Sequence, residues 1–311
     1  MSRLAATIPE PARTGAVELS DRRRLGWAEW GPLDAWPVLF FSGAAMGRSL
    51  GFGADCLTGL GVRVIAVDRP GIGASDPCPD RTLADWPGDV EQLVAALSVE
   101  DHGLVAFSMG APSALACAAA GLPRAVAIVS GQDDLRASAF ADRITGHLAG
   151  MLAQIDADPE GFAAGFAEQA TPDLIWSLAI TGSSEVDLAV YADPAFARAY
   201  RRSLAEGFAQ GPAGYALDFA LAAGRWPFAP EQIGVPVELW YGGRDLSSVH
   251  SPDGGALLAS RIPGAIRNRV EEGGAAVLWT HADQILSALV QARWGRPAAP
   301  DPSPATKGAP R

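Results

Sequence analysis

The chain has 311 residues, of which 49% are hydrophobic and 19% charged, and its formal net charge is −11. This length and composition are typical of a globular protein with a large core, built as one domain or as one domain with a sizeable insertion. The acidic balance argues against nucleic acid and anionic membranes as partners, and no apolar run reaches the roughly 18 residues that a membrane span needs.

The other compositional signals predict a cytoplasmic protein. The first residues lack the apolar h-region of a secretory signal. Three cysteines show neither metal nor disulfide spacing.

Strand patterns dominate the first part of the chain. Alternating segments, GAVELS and LGWAEWG, predict half-buried strands joined by the polar connection DRRR. Short apolar runs, WPVLFFSG and GVRVIAVDRPG, are typical of strands buried on both faces.

Helices are predicted between the later strands. LADWPGDVEQLVAALSV has apolar residues at helical spacing, with Pro87 in its first turn. A strand, a sharp turn and an Ala-rich helix follow in GLVAFSMGAPSALACAAAGL, and RAVAIVSG is a further buried strand. This alternation predicts an α/β protein with a mostly parallel sheet covered on both faces.

The strand signal stops between about Leu135 and Trp226 and then returns. That segment is rich in Ala and Phe, and Xaa-Pro steps divide it into helices. We therefore predict sheet-forming segments at 15–134 and 230–296 around a helical insertion at 135–229. The second segment should end in a helix from about 278 to 292. Residues 297–311 form a Pro/Ala-rich tail predicted to be disordered.

The segment LVAFSMGAPSALA contains the most informative turn. Ser108 stands between a buried strand and a helix, with the small residues Ala106 and Gly110 on either side. This is the sequence form of a nucleophile elbow, in which a tight turn projects the serine hydroxyl and the following helix directs N–H groups at developing negative charge. An ordinary strand-to-helix loop that happens to contain a serine is the alternative.

Five stretches resemble the α/β-hydrolase family in the family's order: FFSGAAMG, VIAVDRPGIGASDP, VAFSMGAPSALA, VPVELWYGGRD and VEEGGAAVLWTHADQIL. The resemblance extends over about residues 15–295. It implies a mostly parallel eight-stranded sheet flanked by helices, with the insertion at 135–229 as a helical lid.

The resemblance also implies site residues. Ser108 would be the nucleophile, and the backbone N–H groups of Ala44 and Met109 would form the oxyanion hole. Asp245, at the end of LWYGGRD, falls where the family has its triad acid. Asp133 and Asp134 follow a strand at a second acid position used by some members.

The general base is not where the family has it. A serine hydroxyl needs a neighbouring base to become a good nucleophile. The family's histidine position, after the last strand, corresponds to Ala275 in the turn Gly273–Ala276.

The chain has only four histidines. His102 precedes the strand that leads to Ser108, and His147 lies in the insertion. His250 follows Asp245 by five residues in a loop beside the expected site, and His281 begins the last helix. Three readings remain open, in this order: His250 as the base, His281 as the base, or no base at all.

The resemblance thus predicts an enzyme that hydrolyses a small, largely apolar ester or related acyl compound. Trp176, Phe219 and Trp226 are candidates to line its pocket. The alternatives are a catalytically silent ligand-binding protein of the same fold and non-hydrolytic, cofactor-free chemistry in the same pocket. No metal cluster or nucleotide-binding motif is recognisable, so no cofactor and no metal are expected. The expected partner is a small-molecule substrate, and the oligomeric state is left open.

Overall fold

A computed structural model describes residues 8–294, so the predicted tail at 297–311 lies outside the described residues. Its eight-stranded sheet has the order β1-β2-β4-β3-β5-β6-β7-β8. β1–β2 and β2–β4 pair antiparallel, and the other neighbours pair parallel. The strands are β1 (Arg13–Glu18), β2 (Arg24–Trp30), β3 (Trp36–Phe41), β4 (Val62–Val67), β5 (Gly103–Phe107), β6 (Val126–Val129), β7 (Val237–Gly242) and β8 (Ile266–Val270). The predicted fold class is confirmed.

Helices connect these strands. Outside the insertion they are α1 (Leu57–Leu60), α2 (Trp86–Leu97), α3 (Ala111–Ala119), α10 (Ala256–Arg261), α11 (Val277–Thr280) and α12 (Ala282–Ala292). Between β6 and β7 lie α4 (Gly146–Ala157), α5 (Pro159–Ala167), α6 (Pro172–Thr181), α7 (Glu185–Tyr191), α8 (Pro194–Gly207) and α9 (Ala213–Ala223). We refer to α4–α9, which lie where the sequence predicts a helical lid, as the lid helices. None of the helices within residues 8–294 is both long and apolar enough to cross a membrane.

The central strands are buried on both faces, as their apolar runs predict. In β3, Phe40 packs into a cluster shared with the lid helices and α12, whereas Phe41 packs into a second cluster with α2, α3 and α10. This period of two places the sheet between two hydrophobic layers.

Proline and side-chain caps set the starts of three lid helices. Asp158, Thr171 and Asp193 each precede a proline and accept a hydrogen bond from a backbone N–H in the first turn that follows. These residues satisfy N–H groups that have no partner inside the helix.

The helix predicted from about 278 to 292 is present but interrupted, and His281 stands at the start of its last part, as the sequence predicts. α11 and α12 are separated by His281, whose backbone leaves helical geometry with a φ of −134°.

Candidate active site

The turn between β5 and α3 has the tight geometry that the sequence predicts. Ser108 has a φ of 52°, in the left-handed region that residues other than glycine rarely adopt. A Cβ atom at Gly110 would lie 2.4 Å from the carbonyl oxygen of Phe41, so only glycine fits there. Ala106 is fully buried, so the turn accepts a methyl group at the first small position.

The Ser108 hydroxyl meets a histidine that comes from another loop. Nε2 of His250 lies 2.8 Å from Ser108 Oγ, and Nδ1 of the same ring lies 2.7 Å from Asp245 Oδ2. Ser108 follows β5, while Asp245 and His250 belong to the loop after β7. The three side chains therefore meet at the carboxyl ends of parallel strands, where open α/β sheets place their sites.

The hydrogen bonds define the role of each ring nitrogen. Burial tends to raise the pKa of Asp245, but the His250 ring and the N–H of Ser247 outweigh it, and the pKa is lowered from 3.8. An ionised carboxylate can only accept, so His250 Nδ1 carries the hydrogen. Nε2 is then free to accept the proton of the Ser108 hydroxyl. Chemically, this arrangement can take a proton from Ser108 while the carboxylate stabilises the charged ring.

The loop that carries His250 is attached to the end of β6. The Ser251 hydroxyl donates to Asp133 Oδ2 at 2.8 Å, and the Ser251 N–H donates to the carbonyl oxygen of Gly131 at 3.0 Å. The pKa of Asp133 is raised from 3.8 to about 6, mainly by burial. Asp133 thus contacts the neighbour of His250. Asp134, the other candidate at the second acid position, pairs with Arg261 instead.

Arg69, which follows β4, supports the loop after β3. Its guanidinium donates to the carbonyl oxygens of Ser42 and Gly43 at 2.7 and 3.1 Å, immediately before Ala44. It also donates to Asp218 of α9 at 2.5 Å. Among residues 8–294, no backbone carbonyl or side chain accepts the N–H of Ala44. Arg69 therefore orients the peptide units on which an oxyanion hole would depend.

A lid carboxylate contacts the loop where the resemblance places a histidine. Asp187 in α7 accepts the N–H groups of Ala275 and Ala276 at 2.9 and 2.8 Å, and the hydroxyl of Ser184 donates to it at 2.7 Å. A Cβ atom at Gly274 would lie 2.1 Å from an Asp187 oxygen. The small residues of this turn therefore leave room for a carboxylate.

The other histidines have different surroundings. His281 Nδ1 lies 2.9 Å from Thr280 Oγ1, and burial lowers the pKa of this ring. The contacts of His281 do not include Ser108. The His102 ring contacts the carbonyl oxygens of Val99 and Glu100 at the opposite end of β5, and His147 is exposed on α4.

The three aromatic residues considered for a pocket do not share one environment. Phe219 stacks with Phe162 and Phe166 inside the lid, and Trp176 packs edge-on against Tyr200. Trp226 stacks on Phe228 and packs into the core layer of α2 and α3. The expectation that Trp226 lines a pocket under the lid was wrong, because the chain has already left the lid at that point.

Sequence reasoning missed three interactions around the candidate site: those made by Asp187, those made by Arg69, and the hydrogen bond between Ser251 and Asp133. Asp187 had a local signal, because Ser184 and Asp187 have the spacing of a serine cap and its acidic partner at a helix start. Arg69 stands within the motif VIAVDRPGIGASDP but has no local partner that would mark it.

Comparison with known proteins supports the fold. No family model and no curated protein sequence matches the chain. Among solved structures, an α/β hydrolase fold protein from Nakamurella multipartita is 20% identical, with a TM-score of 0.59 over 91% of this chain and 100% of the other. An esterase from Rhodococcus is 19% identical, with a TM-score of 0.63 over 93% and 99%. An enol-lactonase from Burkholderia xenovorans is 18% identical, with a TM-score of 0.62 over 89% and 98%.

The protein has the α/β-hydrolase fold. At these identities the likeness is one of fold alone, so the chemistry has to be argued from the site.

Proposed function

We propose that the protein is a serine hydrolase that cleaves a small, largely apolar ester or related acyl compound. The observation that carries the proposal is the continuous contact from Asp245 through His250 to Ser108, with distances of 2.7 and 2.8 Å. Ser108 and His250 are 7% and 6% exposed, so the contact is largely shielded from water. Electrostatic interactions are stronger in such an environment.

The proposed reaction has two steps. The Ser108 oxygen attacks the substrate carbonyl carbon while His250 Nε2 takes its proton, and the N–H groups of Ala44 and Met109 receive the developing oxyanion. Collapse of this intermediate breaks the ester bond, and the proton on His250 passes to the leaving alcohol. A water molecule, deprotonated by the same ring, then attacks the acyl-enzyme and releases the acid and free Ser108.

Two features support hydrolysis over the alternatives considered from sequence. His250 directs its free nitrogen at Ser108, as a general base for a serine nucleophile requires. The solved structures of similar fold include an esterase and an enol-lactonase, and both names describe cleavage of carboxylic esters. Ligand binding without turnover would not require this proton path.

A panel of p-nitrophenyl esters tests the proposal with Ser108→Ala, His250→Ala, Asp245→Asn and the matched control His281→Ala. We expect Ser108→Ala and His250→Ala each to lower kcat by at least about 1,000-fold, because removal of one member disables the whole unit. His281→Ala should retain activity within about threefold, since the ring contacts Thr280 and not the Ser108 hydroxyl.

Labelling provides an independent readout. A fluorophosphonate should modify the wild-type protein at Ser108 and should not modify Ser108→Ala. No turnover of any ester together with no labelling would contradict the proposal and favour the silent binding protein. If His281→Ala lost activity while His250→Ala kept it, His250 would not be the base.

A further inference from the structure

The C-terminal part of α8 packs against the loop after β3, which carries Ala44. The N–H of Gly47 donates to the carbonyl oxygen of Ser203 at 2.9 Å, and the Ser203 hydroxyl donates to the carbonyl oxygen of Gly47 at 2.8 Å. Ser203 is fully buried. These two hydrogen bonds therefore fix the peptide units on both sides of Gly47 against the helix.

Two glycines allow the helix and the loop to approach each other this closely. A Cβ atom at Gly47 would lie 2.8 Å from the Cβ atom of Glu206, and one at Gly207 would collide with the carbonyl oxygen of Ala45. The Glu206 carboxylate also accepts the N–H of Ser49 at 3.3 Å. α8 thus contacts the backbone of the loop at three alternate residues.

The backbone next to Ala44 has a conformation that needs such support. Ala45 is fully buried and has a φ of 54°, in the left-handed region that is unfavourable for a residue with a Cβ atom. A conformation of this kind persists only where the surrounding contacts determine it. The carbonyl oxygen of Ala45 faces Gly207, and Ser203 holds Gly47 two residues further on. α8 therefore supplies contacts that maintain the conformation of Ala45.

Arg69 holds the other side of Ala44. A peptide unit is planar and trans, so the N–H of Ala44 points away from the carbonyl oxygen of Gly43, to which Arg69 donates. Arg69 therefore defines the direction of this N–H, whereas α8 acts on its position from the far side of the loop. The Ser42 hydroxyl donates to the carbonyl oxygen of Met46 at 2.7 Å and closes the loop around Ala44. A displacement of the loop beyond Met46 would therefore also move the peptide units next to Ala44.

We propose that Ser203 is a positioning residue for the reaction: through Gly47 it keeps the N–H of Ala44 where the oxyanion forms. This inference rests on the proposed function, because it concerns the oxyanion hole of that reaction. Oxyanion-hole donors act on the transition state more than on the bound ester, so a displaced N–H lowers kcat more than it raises KM. If Ser203 only attached α8 to the core, its loss would lower stability without this selective effect.

Ser203→Ala tests this role, since it removes the hydroxyl donor and keeps the backbone hydrogen bond from Gly47. We expect kcat for p-nitrophenyl butanoate to fall by about 5–30-fold, with KM within about threefold. This loss is smaller than the roughly 100- to 1,000-fold that follows the complete removal of an oxyanion-hole donor. The value of kcat is expressed per Ser108 labelled at completion by a fluorophosphonate, so that unfolded protein does not contribute to the difference.

Two matched inhibitors separate transition-state stabilisation from substrate binding. With an alkyl trifluoromethyl ketone, the Ser108 oxygen bonds to the carbonyl carbon, its proton passes to His250, and the carbonyl oxygen becomes an oxyanion without loss of a leaving group. The methyl ketone with the same chain is much less electrophilic and measures binding alone. Ser203→Ala should raise the inhibition constant of the trifluoromethyl ketone by about the factor by which it lowers kcat, and should leave that of the methyl ketone within about twofold.

Ser184→Ala is the matched control. Ser184 is another buried serine between β6 and β7, and its hydroxyl donates to Asp187 and not to the loop after β3. This variant should keep kcat and the inhibition constant of the trifluoromethyl ketone within about threefold. Equal inhibition constants in wild type and Ser203→Ala, or equal losses in the two variants, would overturn the inference.

The result separates the two proposals. If Ser108→Ala abolishes hydrolysis and labelling but Ser203→Ala has no effect, the serine hydrolase stands and only the role of Ser203 is overturned. Absence of hydrolysis and of labelling in the wild type would overturn the proposed function, and the inference about Ser203 with it.

Discussion

Replacing Asp187 with alanine should destabilise the protein strongly, because this carboxylate joins the lid to the loop after β8. It accepts two backbone N–H groups at 2.9 and 2.8 Å and is 1% exposed. Hydrogen bonds to a charged group contribute roughly 1.5–3 kcal/mol each, and the N–H groups left behind would be buried and unpaired. We therefore expect the free energy of unfolding to fall by about 3–5 kcal/mol, a large part of the roughly 5–15 kcal/mol typical of folded proteins.

Asp187→Asn should cost about half as much, since the amide keeps one acceptor oxygen and presents an NH₂ group to the second N–H. The control is Asp173→Ala, whose side chain is 92% exposed on α6 and pairs with Arg201. That surface pair should contribute less than about 0.5 kcal/mol.

Urea unfolding followed by tryptophan fluorescence measures these differences, with an unchanged m-value as the criterion that the unfolding transition is the same. A loss below about 1 kcal/mol in Asp187→Ala would refute the reasoning, because a buried carboxylate with two N–H partners cannot be removed so cheaply. Under folding conditions Asp187→Asn should keep kcat within about threefold. If it abolishes turnover without loss of stability, Asp187 acts in the chemistry.

Three further predictions concern the site. Adding Ala275→His to His250→Ala should not restore activity above about 1% of wild type, as measured by ester hydrolysis, because the N–H groups of the turn at 275 are engaged by the lid carboxylate. Substantial rescue would show that the family position remains usable. Arg69→Lys should lower kcat by about 10–100-fold with a smaller change in KM, since an ammonium lacks the planar, forked donors that hold the two carbonyl oxygens before Ala44. An unchanged kcat would contradict this. Burial raises the pKa of Asp133 to about 6, so its carboxyl binds a proton more tightly in the folded than in the unfolded state, and stability falls as pH rises from 3.8 through about 6. Asp133→Asn should remove this dependence on pH. Measured by urea titration, the free energy of unfolding of the variant relative to wild type should rise by up to about 3 kcal/mol between about pH 4 and about pH 7. Parallel curves for the two proteins would contradict the raised pKa of Asp133.

The fold was predictable because its signals are local. Apolar runs of strand length, proline at helix starts and small residues around Ser108 each act over a few positions, and they predicted the sheet and the tight turn. The interruption of the last helix at His281 was not predicted. The apolar pattern continues through that residue, but its backbone leaves the helix.

The contacts within the site were not predictable in the same way. Ser108 and His250 are 142 residues apart, and Asp187 is 88 residues from Ala275. No periodicity relates such positions, because the geometry depends on how two loops pack at the sheet edge. The sequence therefore left His250, His281 and no base as alternatives.

If His250 is the base, as we propose, the loop after β7 carries both the base and its acid partner. Asp245 and His250 are five residues apart, so their contact is a local property of one loop and moves with it. This loop is attached to the end of β6 by the hydrogen bonds from Ser251 to Asp133 and to Gly131. In the family arrangement the base comes from the turn after β8, and here that turn is occupied by Asp187 instead. In the proposed arrangement these two features are complementary: with the base on the β7 loop, the turn at 273–276 is available to bind Asp187, and Asp133 is available to hold the loop.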